Sequence, residues 1–433
     1  MKSALERVLV IFTPREWILG AAAFGIRMLY ALPVLALFGQ HAFTAYSDAQ
    51  VFYIRGAENI LQYGTYSIAS HAPFYPDMLH TPFYPFFLAA LFFLKFSPFV
   101  IVAIQYFLYA VTVILVKRIG EQVFNSARIG LGAAILMTIE PMTLYWGGLL
   151  MSDTFFLFLF ILSMYLFLRE RPMWAGLVGG LAILTREIGL YLLVPWIIFL
   201  VYRKYKTSEN LSVIRPYIIS CLIMAILFVP WIVRNKIIWN ETSLGSIGWY
   251  NMYWGNVLGF CKESALDCPT PPVDPAYVED GTLVTTPQDV AFFKEHSKEI
   301  ILGHPAGFSL FFAKTMLKAP LENGYDYFVK NILEAKHAPS FVVRIGNFFA
   351  NIGTVIWLLL YVTIFVGAYV FRRDPFYVFF IGLIIFYIAL CGAFVDSRLL
   401  IPVYPFIFLL FCKCLFELLS VRKMQADGIQ SSI

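Results

Sequence analysis

Charge is what this chain lacks most. Acidic and basic residues make up only 14% of its 433 residues, against about 25% in soluble globular domains, which excludes an ordinary water-soluble fold. The basic excess is small, a net +5, and lies in short clusters between apolar runs, so nothing indicates a nucleic-acid surface. Cysteine is equally sparse. Of six, Cys221, Cys391, Cys412 and Cys414 fall inside apolar runs, where a thiol is a small hydrophobe. Cys261 and Cys268 are the only pair in the long polar segment, and an oxidising exterior permits a disulfide there. The six histidines (His41, His71, His80, His296, His304 and His337) show neither HExxH nor paired-ligand spacing. No cofactor is indicated, a divalent cation being permitted but not called for. There is no internal repeat or low-complexity tract. The start, MKSALERVLVIFTPREW, is charged and runs into a span too long for a signal-peptide core, so no cleavable signal is expected.

What is present is apolar and aromatic. Hydrophobic residues reach 60% and aromatics 18%, with 43 Phe and 25 Tyr, and mean hydropathy is +0.74. This composition reads as an all-α polytopic membrane protein with aromatic rings at its interfaces. Placing the basic clusters Lys117-Arg118-Arg128, Arg169-Arg171, Arg203-Lys204-Lys206, Arg372-Arg373 and Arg422-Lys423 inside gives spans near 17–39, 98–116, 129–149, 154–168, 174–185, 189–202, 216–232, 348–371, 375–394 and 399–420. Both termini then face the cytoplasm. Residues 82–95 read as a half-buried or re-entrant helix, so the total is ten crossings, or eleven if that helix crosses.

Residues 40–81 and 236–343 fall outside under this scheme. The chain divides into 1–235, a catalytic membrane module with its first outer loop at 40–81; 236–343, an extracytoplasmic loop or cap; and 344–433, the C-terminal membrane helices. The cap region holds twelve of the 27 acids and eight lysines but no arginine. Within it QDVAFFKEHSKEIILGHP reads as a helix beginning after Pro287 and stopping at Gly303.

The informative residues are the polar ones in costly places. A charge at mid-bilayer costs about 2.5–3.5 kcal/mol on insertion scales, so it normally faces a partner or a cavity. Arg27, Glu140, Asp153, Arg186, Glu187, Arg234 and Arg398 all lie within or at the ends of apolar runs, and the topology puts the last five at the outer face with Asp48. Acids and arginines gathered at one interface suit chemistry on an anionic, phosphate-bearing lipid, because the planar guanidinium fork matches phosphate. Each residue also has a plainer reading. Asp48 and Asp153 are good helix N-caps, Arg234 and Arg398 sit where arginines snorkel to headgroups, and Glu140 before Pro141 suits a kink. The rings of GWYNMYWGN suit an interfacial belt.

Six patterns, in order, carry a family resemblance. They are Asp48 with Tyr53, Ala57, Asn59 and GTYS at 64–67; TPFYPFFLA at 81–89; Pro141 with Ser152-Asp153; LTREIGL at 184–190; PWIVRN at 230–235; and SRLLIPVYP at 397–405. Together the chain resembles the GT-C membrane glycosyltransferases, in the branch of protein O-mannosyltransferases and the bacterial lipid A aminoarabinose transferase. The resemblance implies a GT-C bundle, a polyprenyl-phosphate-sugar donor, and an acceptor on glycan, lipid or protein at the outer face of the inner membrane, with inversion at the anomeric carbon. It implies Asp48 as the catalytic acid of the first loop and Asp153 as the second. Ala49 stands where the family usually has another acid. Arg186, Arg234 and Arg398 are expected to hold the donor phosphate, with Tyr53, Arg55, His80, Glu187 and Asn235 around the substrate. Two rivals belong to other classes. A lipid-linked polysaccharide polymerase or ligase usually has an arginine-rich outer loop. A flippase of a lipid-linked sugar should show repeat halves or broken helices near mid-membrane.

Overall fold

Long apolar helices dominate the architecture. The computed structural model describes residues 12–46, 49–72, 74–192, 211–270, 278–279, 282–283, 287–329, 339–394 and 397–430. Among these, five helical stretches are long and apolar enough to cross a membrane: Pro14–Phe38, Pro98–Phe124, Arg215–Trp239, Ser340–Val370 and Ser397–Glu417. The number rises to seven if two bent pairs each count as one crossing. Shorter apolar helices, including Phe83–Phe93, Ser152–Leu168 and Pro172–Thr185, fill the bundle between them. The expected crossing at 189–202 lies largely outside the described residues. A two-residue strand pair, Val278–Glu279 with Thr282–Leu283, is the sole β-structure among them.

Close packing of the short helices depends on missing side chains. Pro172–Thr185 carries Gly176 and Gly180 on the face it turns to Leu211–Trp239. A Cβ on Gly176 would meet the Ser220 carbonyl oxygen at 2.6 Å, and one on Gly180 would meet Leu227 at 2.5 Å. This is the small-residue helix contact typical of membranes, where backbones approach because no side chain intervenes.

Two of the costly charges prove to be structural. Helix Ala127–Ile139 breaks at Glu140, and Pro141–Gly147 leaves it at 52°. The Glu140 carboxylate accepts the backbone N–H groups of Met142 and Thr143, at 2.7 Å each, capping the new helix. Arg27, fully buried on the first helix, donates to the Thr138 carbonyl and the Thr143 hydroxyl at 3.0 Å. Its guanidinium lies 3.5 Å over the Tyr109 ring. Carbonyls freed at the kink thus find a buried donor, as backbone in lipid requires.

One sequence boundary moves. The span expected to end at residue 116 continues as helix to Phe124, with Lys117 and Arg118 inside it. They need no loop, because Glu16 on the first helix pairs with both, at 3.5 and 2.8 Å. Arg118 also reaches the Tyr165 hydroxyl and Gln122 the Leu168 carbonyl. The C-terminal end of Ser152–Leu168 therefore lies beside Glu16, and its N-terminal end, with Asp153, lies at the opposite end of the bundle.

Residues 247–312 build a smaller core around Tyr253, Val257, Phe260, Phe293 and Phe308. The helix expected after Pro287 runs from Pro287 to Gly303, and Cys261 is joined to Cys268.

Candidate active site

Three separate segments deliver charged residues to one point. Ser152–Leu168 starts with Ser152 and Asp153, so its first turn presents a carboxylate and a hydroxyl. Pro172–Thr185 stops at Arg186, whose backbone turns extended. The short 3-10 segment Ser397–Val403 brings Arg398. Arg186 donates through Nη1 to Asp153 Oδ1 at 2.5 Å and to Ser152 Oγ at 3.3 Å. Arg398 Nε stands 3.8 Å from the same carboxylate oxygen, and its guanidinium lies 4.6 Å over the Trp146 ring. Asp153, Arg186 and Arg398 share a crevice with Phe156, Ile188 and Leu399.

The crevice is polar on one side only. Asp153 is 3% exposed, and its Oδ2 is buried with no hydrogen-bond partner among the described residues. An acceptor left so costs about 1–3 kcal/mol or more in a finished structure, so such an atom marks where a ligand group or water belongs. Two guanidinium groups around one carboxylate also leave a positive surplus. The arrangement suits an anion with a hydrogen to donate, or an anion approaching the arginines from the open side.

Tyr53 joins this centre. Its hydroxyl lies 3.0 Å from Ser152 Oγ, which Arg186 also touches. The Tyr53 ring packs edge-on against His80, with centroids 5.9 Å apart, and against Tyr84 at 5.1 Å. Asp48, expected to be the catalytic acid, lies outside the described residues.

A second polar group sits on the other side of Tyr53. Asp77 is buried and accepts the N–H groups of Leu79 and His80 at 3.1 and 3.0 Å. His80 Nδ1 stands 3.6 Å from its Oδ2. Burial raises the Asp77 carboxyl, but the His80 side chain and the two N–H donors outweigh it and hold the group below its ordinary value. The His80 ring lies against Phe52, 4.3 Å between centroids. Arg234 donates to the Asp77 carbonyl and to Asn235 Oδ1, both at 2.7 Å, and lies over Trp231 at 4.5 Å. Asn235 in turn donates to the carbonyls of Ser243 and Leu244. Arg234 and Asn235 thus fasten the entry of the 236–343 segment to the 77–80 loop. The expected grouping of three arginines divides, with Arg186 and Arg398 meeting at Asp153 and Arg234 spent on backbone beside Asp77.

Glu187 borders both groups. It faces the turn at Gly245 and Gly248, and burial pushes its carboxyl up to about 8 against the opposing pull of the Gly248 N–H and the Arg186 charge. Arg55 donates to the Ile68 carbonyl at 3.5 Å, within the first loop's own packing. Asp77, Trp146 and Ser152 were not singled out as site residues. Only Ser152, adjoining Asp153 in a helix-start pair, and Asp77, three before His80, left a local trace.

A search of curated proteins gives no match. Among solved structures, the crystal structure of ArnT from Cupriavidus metallidurans in the apo state is similar over 83% of this chain and 72% of its own, at 12% identity and a TM-score of 0.36. Residues 79–233, which hold His80, Asp153, Arg186 and Glu187, match the model of the dolichyl-phosphate-mannose-protein mannosyltransferase family. The likeness to membrane glycosyltransferases stated from the motifs is thereby borne out over that stretch.

Proposed function

We propose that this protein is an integral-membrane glycosyltransferase that moves a sugar from a polyprenyl-phosphate donor to an acceptor on glycan, lipid or protein. The observation that carries the reading is the meeting of Arg186 and Arg398, from distant parts of the chain, at one buried carboxylate with an unsatisfied oxygen. That point lies at one end of an apolar bundle, where a lipid-borne phosphate is presented.

The chemistry follows from the groups. An acceptor oxygen attacks the anomeric carbon, the bond from that carbon to the phosphate oxygen breaks, and the acceptor proton goes to a base. Negative charge grows on the departing phosphate, so cations fixed beside it act mainly on the transition state. Arg186 and Arg398 take this part, while Asp153 holds Arg186 by a hydrogen bond and faces Arg398. Asp48, five residues before Tyr53 in sequence, is assigned the base, and a single in-line displacement inverts the anomeric centre. The prenyl chain lies along the apolar helices. The module 1–235 does not work alone under this reading, because Arg398 comes from 344–433, with 236–343 as a cap.

Turnover of a radiolabelled polyprenyl-phosphate-sugar by the purified protein in detergent tests the activity, and no transfer to any envelope acceptor fraction would refute it. Orientation has its own test. A cysteine at Ala265, in a background without Cys261 and Cys268, should react with an impermeant maleimide in intact cells, and one at Lys206 should not. The reverse pattern would overturn an active site facing the periplasm.

A further inference from the structure

The end of the 236–343 segment reaches back to Arg398. Residues 323–328 are anchored on two sides. Asn323 caps the short helix Gly324–Phe328 and donates to the Ala350 carbonyl at 3.0 Å. Gly324 lies so close to the backbone of Pro141 and Met142 that a Cβ would collide with it. The anchoring delivers Tyr327 beside two partners. Its ring packs on Trp146, 5.3 Å between centroids, and its hydroxyl lies 3.1 Å from Ser397 Oγ. Ser397 in turn donates to Glu322 Oε2 at 3.2 Å, so the Tyr327 hydroxyl is the donor in a chain that ends on the Glu322 carboxylate.

Both routes from Tyr327 lead to one residue. Ser397 precedes Arg398 in the chain, and Trp146 carries the Arg398 guanidinium on its face. Trp146 is fully buried, and Tyr46 and Tyr145 pack edge-on to it, 5.0 and 5.2 Å between centroids. Stacking on a fixed aromatic face and a hydrogen-bonded backbone anchor are the two ways to aim a long, rotamer-rich arginine.

We propose that Tyr327, Ser397 and Glu322 are positioning residues for Arg398, so that the return of the 236–343 segment sets how well the crevice binds the donor phosphate. The inference rests on the crevice reading given under Proposed function. It assigns to a part of the chain outside the family-matched stretch the task of aiming one of the two phosphate arginines.

The test is a double-mutant cycle on binding of a short-chain polyprenyl monophosphate to the full-length protein in detergent. Tyr327→Phe keeps the ring on Trp146 and removes only the hydroxyl. In the wild-type background it should weaken binding about three- to tenfold, the range of one hydrogen bond. In the Arg398→Lys background the same change should shift binding less than about twofold, because the fork it aims is gone. Glu322→Gln, which keeps an acceptor for Ser397, should act less than Tyr327→Phe. Gly324→Ala, which displaces the segment against the Pro141–Met142 backbone and leaves the Tyr327 hydroxyl in place, should reproduce the Tyr327→Phe pattern. Full additivity of Tyr327→Phe with Arg398→Lys, or no effect of Tyr327→Phe at all, overturns the inference alone. Wild-type binding by Arg398→Lys itself overturns the phosphate reading and this inference with it.

Discussion

Two ion clusters lie at opposite ends of the bundle, built from the same residue types. At one end Glu16 takes the Arg118 fork on both oxygens, at 2.8 Å each, and adds Lys117 and the backbone and hydroxyl of Thr13. Its acceptor capacity is used within the chain. At the other end Asp153 takes Arg186 on one oxygen, Arg398 stands beyond hydrogen-bond distance, and the second oxygen has no partner among the described residues. A closed cluster joins helices. An open one leaves an acceptor for a ligand group or a water, and under the proposed function it is the place where the donor binds. Burial and charge alone do not separate the two, which differ in how many carboxylate oxygens are engaged within the chain.

The largest effect expected belongs to the assigned base. Asp48→Asn should lower turnover by about a hundredfold or more, with donor binding little changed. A well-folded variant of near-normal activity removes the assignment.

Matched substitutions then set the clusters against each other. Arg186→Lys and Arg398→Lys keep the charge and lose the fork, so each should cost about tenfold in turnover of the lipid-linked donor. Arg118→Lys should leave turnover within about twofold and lower the thermal midpoint instead, as a weakened buried pair does. Equal effects on turnover at both ends would erase the distinction drawn above. Arg234→Lys should fall between, since it loosens the join of the 77–80 loop to the 236–343 segment without touching Asp153.

The smallest effect concerns pH. The Glu187 carboxyl is raised by burial to about 8 from an ordinary 4.5. The folded protein therefore holds a proton there that the unfolded chain releases. This contribution to stability is complete below the ordinary value and fades as pH rises from 4.5 to about 8. Glu187→Gln should flatten the fall in thermal midpoint over that window. An unchanged slope would show that Glu187 is not the group responsible.

Much of the fold is legible because lipid imposes it. Apolar run lengths, the kink before Pro141, the helix after Pro287 and the break between Phe93 and Pro98 are all written locally. Partners are not. Lys117 and Arg118 read as a loop because their acid, Glu16, is on another helix, and Arg27 reads as a functional charge because the carbonyls it serves lie beyond residue 136. The site was legible as an accumulation of acids and arginines at span ends. How they sort was not, since Arg234 and Arg398 look alike in sequence. Only packing puts one on the Asp77 backbone and the other over Trp146. Tyr327 lay in a segment whose composition says loop, and nothing near it in sequence points to Ser397.

The central claim is that the Asp153 crevice receives the donor phosphate through Arg186 and Arg398. Its most direct test is equilibrium binding of a polyprenyl monophosphate to the wild type and to the Arg186→Lys/Arg398→Lys double variant, with Arg118→Lys as the matched control. The account predicts affinity lower by well over tenfold in the double variant and unchanged in the control. Wild-type affinity in the double variant would contradict it.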